Sequence, residues 1–98
     1  MHDRRHAPRI RVTWTCSLQR HVGRPIPGHT MDLGPDGMRV VTIRPLSVDE
    51  VLDFAVSDAE KEISGEARVM REEGRGAYGL RFESLSDSMR DELTAMCA

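Results

Sequence analysis

A ten-residue alternating stretch near the start constrains the fold of this 98-residue chain more than any other feature. Between residues 10 and 19, apolar side chains such as Ile10, Val12 and Trp14 alternate strictly with polar ones. A period of two places all the apolar side chains on one face of an extended chain. The stretch therefore predicts a half-buried β-strand.

The remaining chain repeats this pattern in shorter pieces and then changes period. Five further strands are predicted, the second ending near Leu33 and the others around residues 38–43, 52–56, 63–69 and 78–82. Apolar residues at 85, 89, 93 and 96 then lie on one face of a helix, and Ser86 is a suitable N-cap. We predict a mainly-β fold, a six-stranded antiparallel β-barrel with a C-terminal α-helix over residues 86–97.

Composition favours one small cytoplasmic domain. The chain is 39% hydrophobic and 31% charged, and no apolar run approaches the roughly 20 residues of a membrane span. Its polar N-terminus does not resemble a secretion signal. Cys16 and Cys97 lie far apart without a partner motif, so we expect a buried thiol and a free terminal thiol rather than a disulfide.

Charge is unevenly distributed along the chain. Residues 1–44 contain eight arginines and three aspartates, a net charge of +5, whereas residues 45–98 contain six basic and thirteen acidic side chains, a net charge of −7. An anion would therefore be drawn to the N-terminal half.

Two segments of that basic half carry groups that suit a guanine nucleotide. Arg4, Arg5 and Arg9 precede the first strand, and the turn Asp32-Leu33-Gly34-Pro35-Asp36-Gly37 joins the second strand to the third. A guanidinium can donate paired hydrogen bonds to phosphate or to guanine O6 and N7, and a carboxylate can accept from the guanine N1–H and N2 amine. In the turn, proline sets its own φ, and glycine is expected to permit a positive φ.

The two segments read RxxxR and DxGxxG, and together they resemble the PilZ domain, a bacterial receptor for the second messenger cyclic di-GMP. The stretch from Gly76 to Glu83 is similar to the closing strand of that family, so the resemblance runs from Arg4 to the C-terminal helix. The second motif of the family is usually written (D/N)xSxxG, and here Gly34 stands where serine is expected.

The resemblance implies roles for particular residues. Arg5 and Arg9 would be the motif pair, and the flanking Arg4 is compatible with a stacked pair of ligand molecules. Residues 1–9 would form a flexible segment that closes over cyclic di-GMP, and residues 10–98 would form the barrel domain with its helix.

The turn would form the opposite side of the ligand site. Asp32 would accept hydrogen bonds from guanine, while Gly34 and Gly37 would shape the turn and offer backbone N–H groups. Loss of the serine hydroxyl at position 34 is expected to weaken binding about five-fold, the equivalent of one neutral hydrogen bond.

The resulting hypothesis is a cyclic di-GMP receptor or adaptor without catalytic activity, cofactor or metal, which signals to a separate protein partner. The alternative is an interaction module on the same barrel that does not bind the nucleotide. Gly34→Ser should tighten binding under the first hypothesis and change nothing under the second. A nucleic-acid-binding barrel is disfavoured, because the C-terminal half is acidic and only four aromatic residues could stack on bases.

Overall fold

The computed structural model describes residues 8–97 as a closed antiparallel barrel followed by one helix. The barrel order is β1-β2-β3-β6-β5-β4, so each strand is paired on both sides and the predicted fold class is confirmed. The elements are β1 (Thr15–Gln19), β2 (Ile26–Leu33), β3 (Gly37–Thr42), β4 (Val51–Ser57), β5 (Glu62–Gly74), β6 (Ala77–Ser84) and α1 (Asp87–Cys97).

Alternate side chains of all six strands fill the barrel interior. Trp14, on the apolar face predicted for residues 10–19, is 8% exposed, and Phe54 stacks on Phe82 with 4.9 Å between the ring centroids. Leu93 of α1 is fully buried, while Met89 and Met96 pack partly buried against the same core. The helix therefore packs against the barrel core with the apolar face that its period predicted.

The first strand is shorter than its alternating pattern suggested. It begins at Thr15 rather than Ile10, although the preceding segment still runs beside β2. The backbone N–H of Trp14 donates to the hydroxyl Oγ1 of Thr30 at 2.9 Å, where a regular ladder would offer a carbonyl. Because a side chain replaces the backbone acceptor at this point, regular pairing stops there.

A β-bulge in β2 fixes the partner of Asp32. The register between β2 and β3 shifts between Thr30 and Asp32, so Asp32 lies opposite Arg39. Without the extra residue, the Thr30–Val40 pair would continue to an Asp32–Met38 pair and would place the carboxylate beside a core side chain. The bulge thus directs an acidic side chain towards a basic one.

The turn between β2 and β3 does not use a positive φ, contrary to the sequence-based expectation. The glycines that do are Gly23, Gly74 and Gly76. Gly37 is required for another reason, since a Cβ there would collide with the carbonyl oxygen of Leu80 on β6. Glycine at position 37 therefore permits close strand approach.

The helix is tied to the same turn. Ser86 is its N-cap, accepting a hydrogen bond from the backbone N–H of Met89 at 3.2 Å, as its sequence position predicted. Arg90 donates to the carbonyl of Pro35 at 3.0 Å, and the Cys97 thiol lies 3.5 Å from the carbonyl oxygen of Leu33. Both contacts link α1 to the segment that contains Asp32.

The cysteines do not pair with each other. Cys16 and Cys97 are both reduced and both buried, so the expected terminal free thiol is covered by its surroundings. Within residues 8–97, no helix is both long enough and apolar enough to cross a membrane.

Candidate functional site

The site centres on Asp32, a carboxylate held between two guanidiniums. Arg39 donates through Nε to Oδ2 of Asp32 at 2.6 Å, and Arg9 donates through Nη1 to Oδ1 at 2.8 Å. The Asp32 residue is only 6% exposed, whereas the side chains of Arg9 and Arg39 are 39% and 37% exposed. A buried negative charge is thus neutralised by two positive charges that remain partly in solvent.

Two opposing effects act on the pKa of Asp32. Burial on its own would raise the pKa of this carboxyl, but the hydrogen bonds and charges of Arg39 and Arg9 outweigh burial and lower it. Asp32 is therefore ionised at neutral pH and can accept hydrogen bonds from a ligand.

A second carboxylate continues the ion-pair network across the barrel face. Glu73 accepts from Nη1 of Arg39 at 3.2 Å and from Nε of Arg71 at 2.9 Å. Arg39 and Arg71 lie on either side of Gly79 in neighbouring strands. A Cβ at position 79 would lie 2.9 Å from Oε2 of Glu73, so the glycine leaves the space that this carboxylate fills.

A shallow groove runs beside this network and has a volume of about 210 Å³. Its charged lining consists of four arginines and two carboxylates, so positive charge predominates. The lining residues are Arg9, Asp36, Arg39, Met70, Arg71, Glu73, Gly79, Leu80 and Arg81. Guanidiniums facing one groove can bind a phosphate-containing anion through paired, charge-assisted hydrogen bonds.

The structure brings several of the predicted site residues together. Arg9 and Asp32 are in direct contact, and Gly34 and Gly37 flank them in the adjoining turn. Arg4 and Arg5 lie outside the described residues, so their roles stay predictions.

Gly34 has two structural roles that its place in the motif did not reveal. Its N–H donates to the carbonyl of Gly37 at 3.0 Å, so in this conformation it serves the turn rather than being offered to a ligand. A Cβ at position 34 would lie 2.9 Å from both Cγ of Arg9 and the carbonyl oxygen of Pro8. The glycine therefore makes room for the N-terminal segment.

The sequence patterns did not predict Arg39, Arg71 and Glu73 as site residues. The position of Arg39 across a turn from Asp32 could have indicated their ion pair, because opposite charges that face each other on paired strands attract. Register shifts in β2 and β5 concealed which residues face each other, and a strict period of two cannot anticipate them.

The described part of the chain offers no cluster for a metal ion. Within residues 8–97, no three histidine, cysteine, aspartate or glutamate side chains converge in a way that could hold one. Arginines instead predominate among the charged residues of the groove.

Comparison with known proteins identifies the family. A model of the PilZ domain family matches residues 3–98. The chain belongs to the PilZ domain family. This agrees with the resemblance in the two motifs and with the six-stranded barrel and its helix.

Solved PilZ structures share this fold at low sequence identity. The PilZ domain of Escherichia coli YcgR, solved with cyclic di-GMP, is 15% identical, with a TM-score of 0.80 and coverage of 97% of this chain and 89% of that one. The PilZ domain of CeSA from a cellulose-synthesizing bacterium is 18% identical, with a TM-score of 0.68 and coverage of 91% and 93%.

A third similar structure is a longer protein. Bacillus subtilis MotI/DgrA, an inhibitor of motility, is 17% identical with a TM-score of 0.84, and the match covers 97% of this chain. The chain spans only 50% of the length of MotI/DgrA. Comparison with curated proteins gave no match.

Proposed function

We propose that this PilZ domain is a cytoplasmic receptor or adaptor for cyclic di-GMP that has no catalytic activity of its own. The observation that carries the proposal is the Arg9–Asp32–Arg39 cluster beside a predominantly basic groove. It supplies two kinds of group that the nucleotide requires, cations for its phosphates and a carboxylate for the guanine edge.

Binding of the nucleotide would change the hydrogen-bond partners of Asp32 and Arg9. The guanine N1–H and N2 amine would replace Arg9 on Asp32, and the Arg9 guanidinium would bind a phosphate instead of the carboxylate. Arg9 would exchange one anion for another. Asp32 would exchange a charged donor for neutral N–H donors and would keep its ion pair with Arg39, so its buried charge is not left unpaired. Arg39 already contacts Asp32 and Glu73, and it would keep Asp32 oriented during this exchange.

The family motif adds Arg4 and Arg5 to the proposed site. Arg5 would be the second motif arginine, and Arg4 would accommodate a second, stacked cyclic di-GMP molecule. Gly34 and Gly37 would shape the turn against the ligand. Rearrangement of the N-terminal segment would then change the surface presented to a protein partner in trans.

Titration calorimetry of the whole chain with cyclic di-GMP tests the proposal. Arg9→Ala should weaken binding about tenfold or more, since it removes a charge-assisted hydrogen bond. Arg11→Ala is the matched control, because Arg11 is exposed two residues further on and makes no ion pair within residues 8–97. An absence of heat with the parent protein at high micromolar nucleotide would favour the alternative, an interaction module that does not bind cyclic di-GMP.

A further inference from the structure

Residues 8–10, termed the strap, are fastened to the last residue of β2. The backbone N–H of Ile10 donates to the carbonyl of Leu33 at 2.9 Å, and the N–H of Leu33 donates back to the carbonyl of Ile10 at 2.9 Å. The residues that precede Ile10 and Leu33 in the chain, Arg9 and Asp32, form an ion pair. The strap thus occupies the one carboxylate that the motif would offer to guanine.

Gly34 is the residue that lets the strap lie so close. A Cβ at this position would lie 2.9 Å from Cγ of Arg9 and from the carbonyl oxygen of Pro8. The arginine side chain could rotate away, but a backbone carbonyl moves only if the strap moves with it. Gly34 does not have a positive φ, so the requirement for glycine comes from space and not from backbone conformation.

We propose that the strap is a latch controlled by Gly34, which closes the ligand-free site by placing Arg9 on Asp32. A side chain at position 34 would hold the latch open. Glycine in place of the motif serine would then do more than remove a hydroxyl, since it would stabilise a closed state that competes with the ligand.

Competition between the closed strap and the nucleotide would change the apparent affinity for cyclic di-GMP by an amount that can be calculated. This inference about affinity rests on the proposed function. If only the open state binds nucleotide, the apparent dissociation constant is the intrinsic one divided by the open fraction. Any substitution that opens the strap without touching a ligand-binding group should therefore tighten binding. Gly34→Ala adds the Cβ that crowds the strap but no hydroxyl that could bind the ligand.

Hydrogen exchange of the ligand-free protein, followed by NMR, tests the latch directly. The amides of Ile10 and Leu33 should be protected in the parent and should exchange about tenfold faster in both Gly34→Ala and Gly34→Ser, as expected when local hydrogen bonds open. The amide of Thr30 is the internal control, since it donates to the carbonyl of Trp14 away from the strap. Unchanged protection of Ile10 and Leu33 in Gly34→Ala would overturn the latch.

A second pair of variants tests the latch independently, in case Gly34→Ala lowers the stability of the whole protein. Arg9→Ala should speed exchange at Ile10 and Leu33 by removing the ion pair, whereas Arg11→Ala should leave it unchanged. Equal effects of the two arginine substitutions would contradict a latch that depends on Arg9.

Titration of the same proteins with cyclic di-GMP separates this inference from the proposed function. The latch predicts several-fold tighter binding to Gly34→Ala than to the parent, as the open fraction rises. Faster exchange with no gain in affinity would overturn the competition. If neither protein binds the nucleotide, the proposed function fails, and the exchange rates alone decide whether Gly34 controls the strap.

Discussion

At the scale of single residues, the site depends on a carboxylate that is buried but paired. Asp32 is stabilised by Arg9 from the strap and by Arg39 from β3, and Glu73 holds Arg39 from its other side. Removing a partner from such a pair usually costs more than the pair itself contributes, because the remaining charge loses its compensation. Asp32 should therefore matter to stability as well as to ligand binding.

Asp32→Asn should lower the free energy of unfolding by about 1–2 kcal/mol at pH 7, because two charge-assisted hydrogen bonds become weaker. The pKa of Asp32 is lower in the folded protein than in the unfolded chain, so its contribution is complete above the unfolded pKa and is lost as pH falls through the folded pKa. Urea titrations of both proteins between pH 7 and pH 2 measure this difference, which should shrink below about pH 4.

Glu83→Gln is the matched control for this carboxylate. Glu83 also contacts two arginines, Arg68 and Arg81, but its side chain is 26% exposed, against 9% for that of Asp32. Screening by water weakens such pairs, so this substitution should change stability less than Asp32→Asn does. A difference between Asp32→Asn and the parent that stays constant across the acid range would contradict the account of Asp32.

At the scale of elements, the bulged end of β2 organises the site. Thr30 is fully buried, and its hydroxyl accepts from the N–H of Trp14 at 2.9 Å and donates to the carbonyl of Val12 at 2.5 Å. One side chain thereby fastens the segment before β1 to β2, just ahead of the bulge that pairs Asp32 with Arg39.

Thr30→Val should destabilise the protein by about 1–3 kcal/mol, because it keeps the shape but leaves the buried N–H of Trp14 without an acceptor. Thr13→Val is the control, since Thr13 belongs to the same segment but is exposed. Chemical denaturation of the two variants measures the contrast. Equal stabilities would show that the Thr30 hydroxyl does not hold these segments together.

The N-cap of α1 gives a second prediction at this scale. Ser86→Ala should cost about 1 kcal/mol, because the N–H of Met89 loses its side-chain acceptor. Ser88→Ala, within the first turn, is the control and should cost less. Thermal unfolding followed by circular dichroism measures both effects. Equal decreases in melting temperature for the two substitutions would contradict the assignment of Ser86 as the N-cap.

The sequence predicted the strands and the helix better than it predicted the contacts of the site. Alternation identified six strands because each buries one face, and the change of period at Leu85 identified the helix. Motif spacing identified Arg9 and Asp32, which the structure brings together. The pairing of Arg39 with Asp32 depends on a bulge, which adds a residue without leaving a distinctive pattern in the sequence.

At the scale of the whole molecule, closure of the barrel leaves Cys16 in an interior that opens only when the protein unfolds. Burial raises the pKa of the Cys16 thiol to about 12, so little reactive thiolate forms at neutral pH. Burial also raises the pKa of Cys97, but that residue lies at the end of a helix, where local fraying is easier.

N-ethylmaleimide should therefore label Cys97 before Cys16. Labelling of Cys16 should require global unfolding and should follow the urea transition of the barrel. Mass spectrometry of peptides after timed labelling measures both rates. Comparable labelling of the two thiols without denaturant would contradict a closed, fully packed barrel.

We propose that the cluster around Asp32 recognises guanine as well as phosphate. Calorimetric titration of the same protein with cyclic di-GMP and with cyclic di-AMP tests it most directly, because the ligands share a phosphodiester ring and differ in their bases. Adenine lacks the N1–H and the N2 amine from which Asp32 would accept hydrogen bonds. Cyclic di-GMP should therefore bind at least about tenfold more tightly than cyclic di-AMP. Equal affinities, or no binding of cyclic di-GMP, would contradict the account.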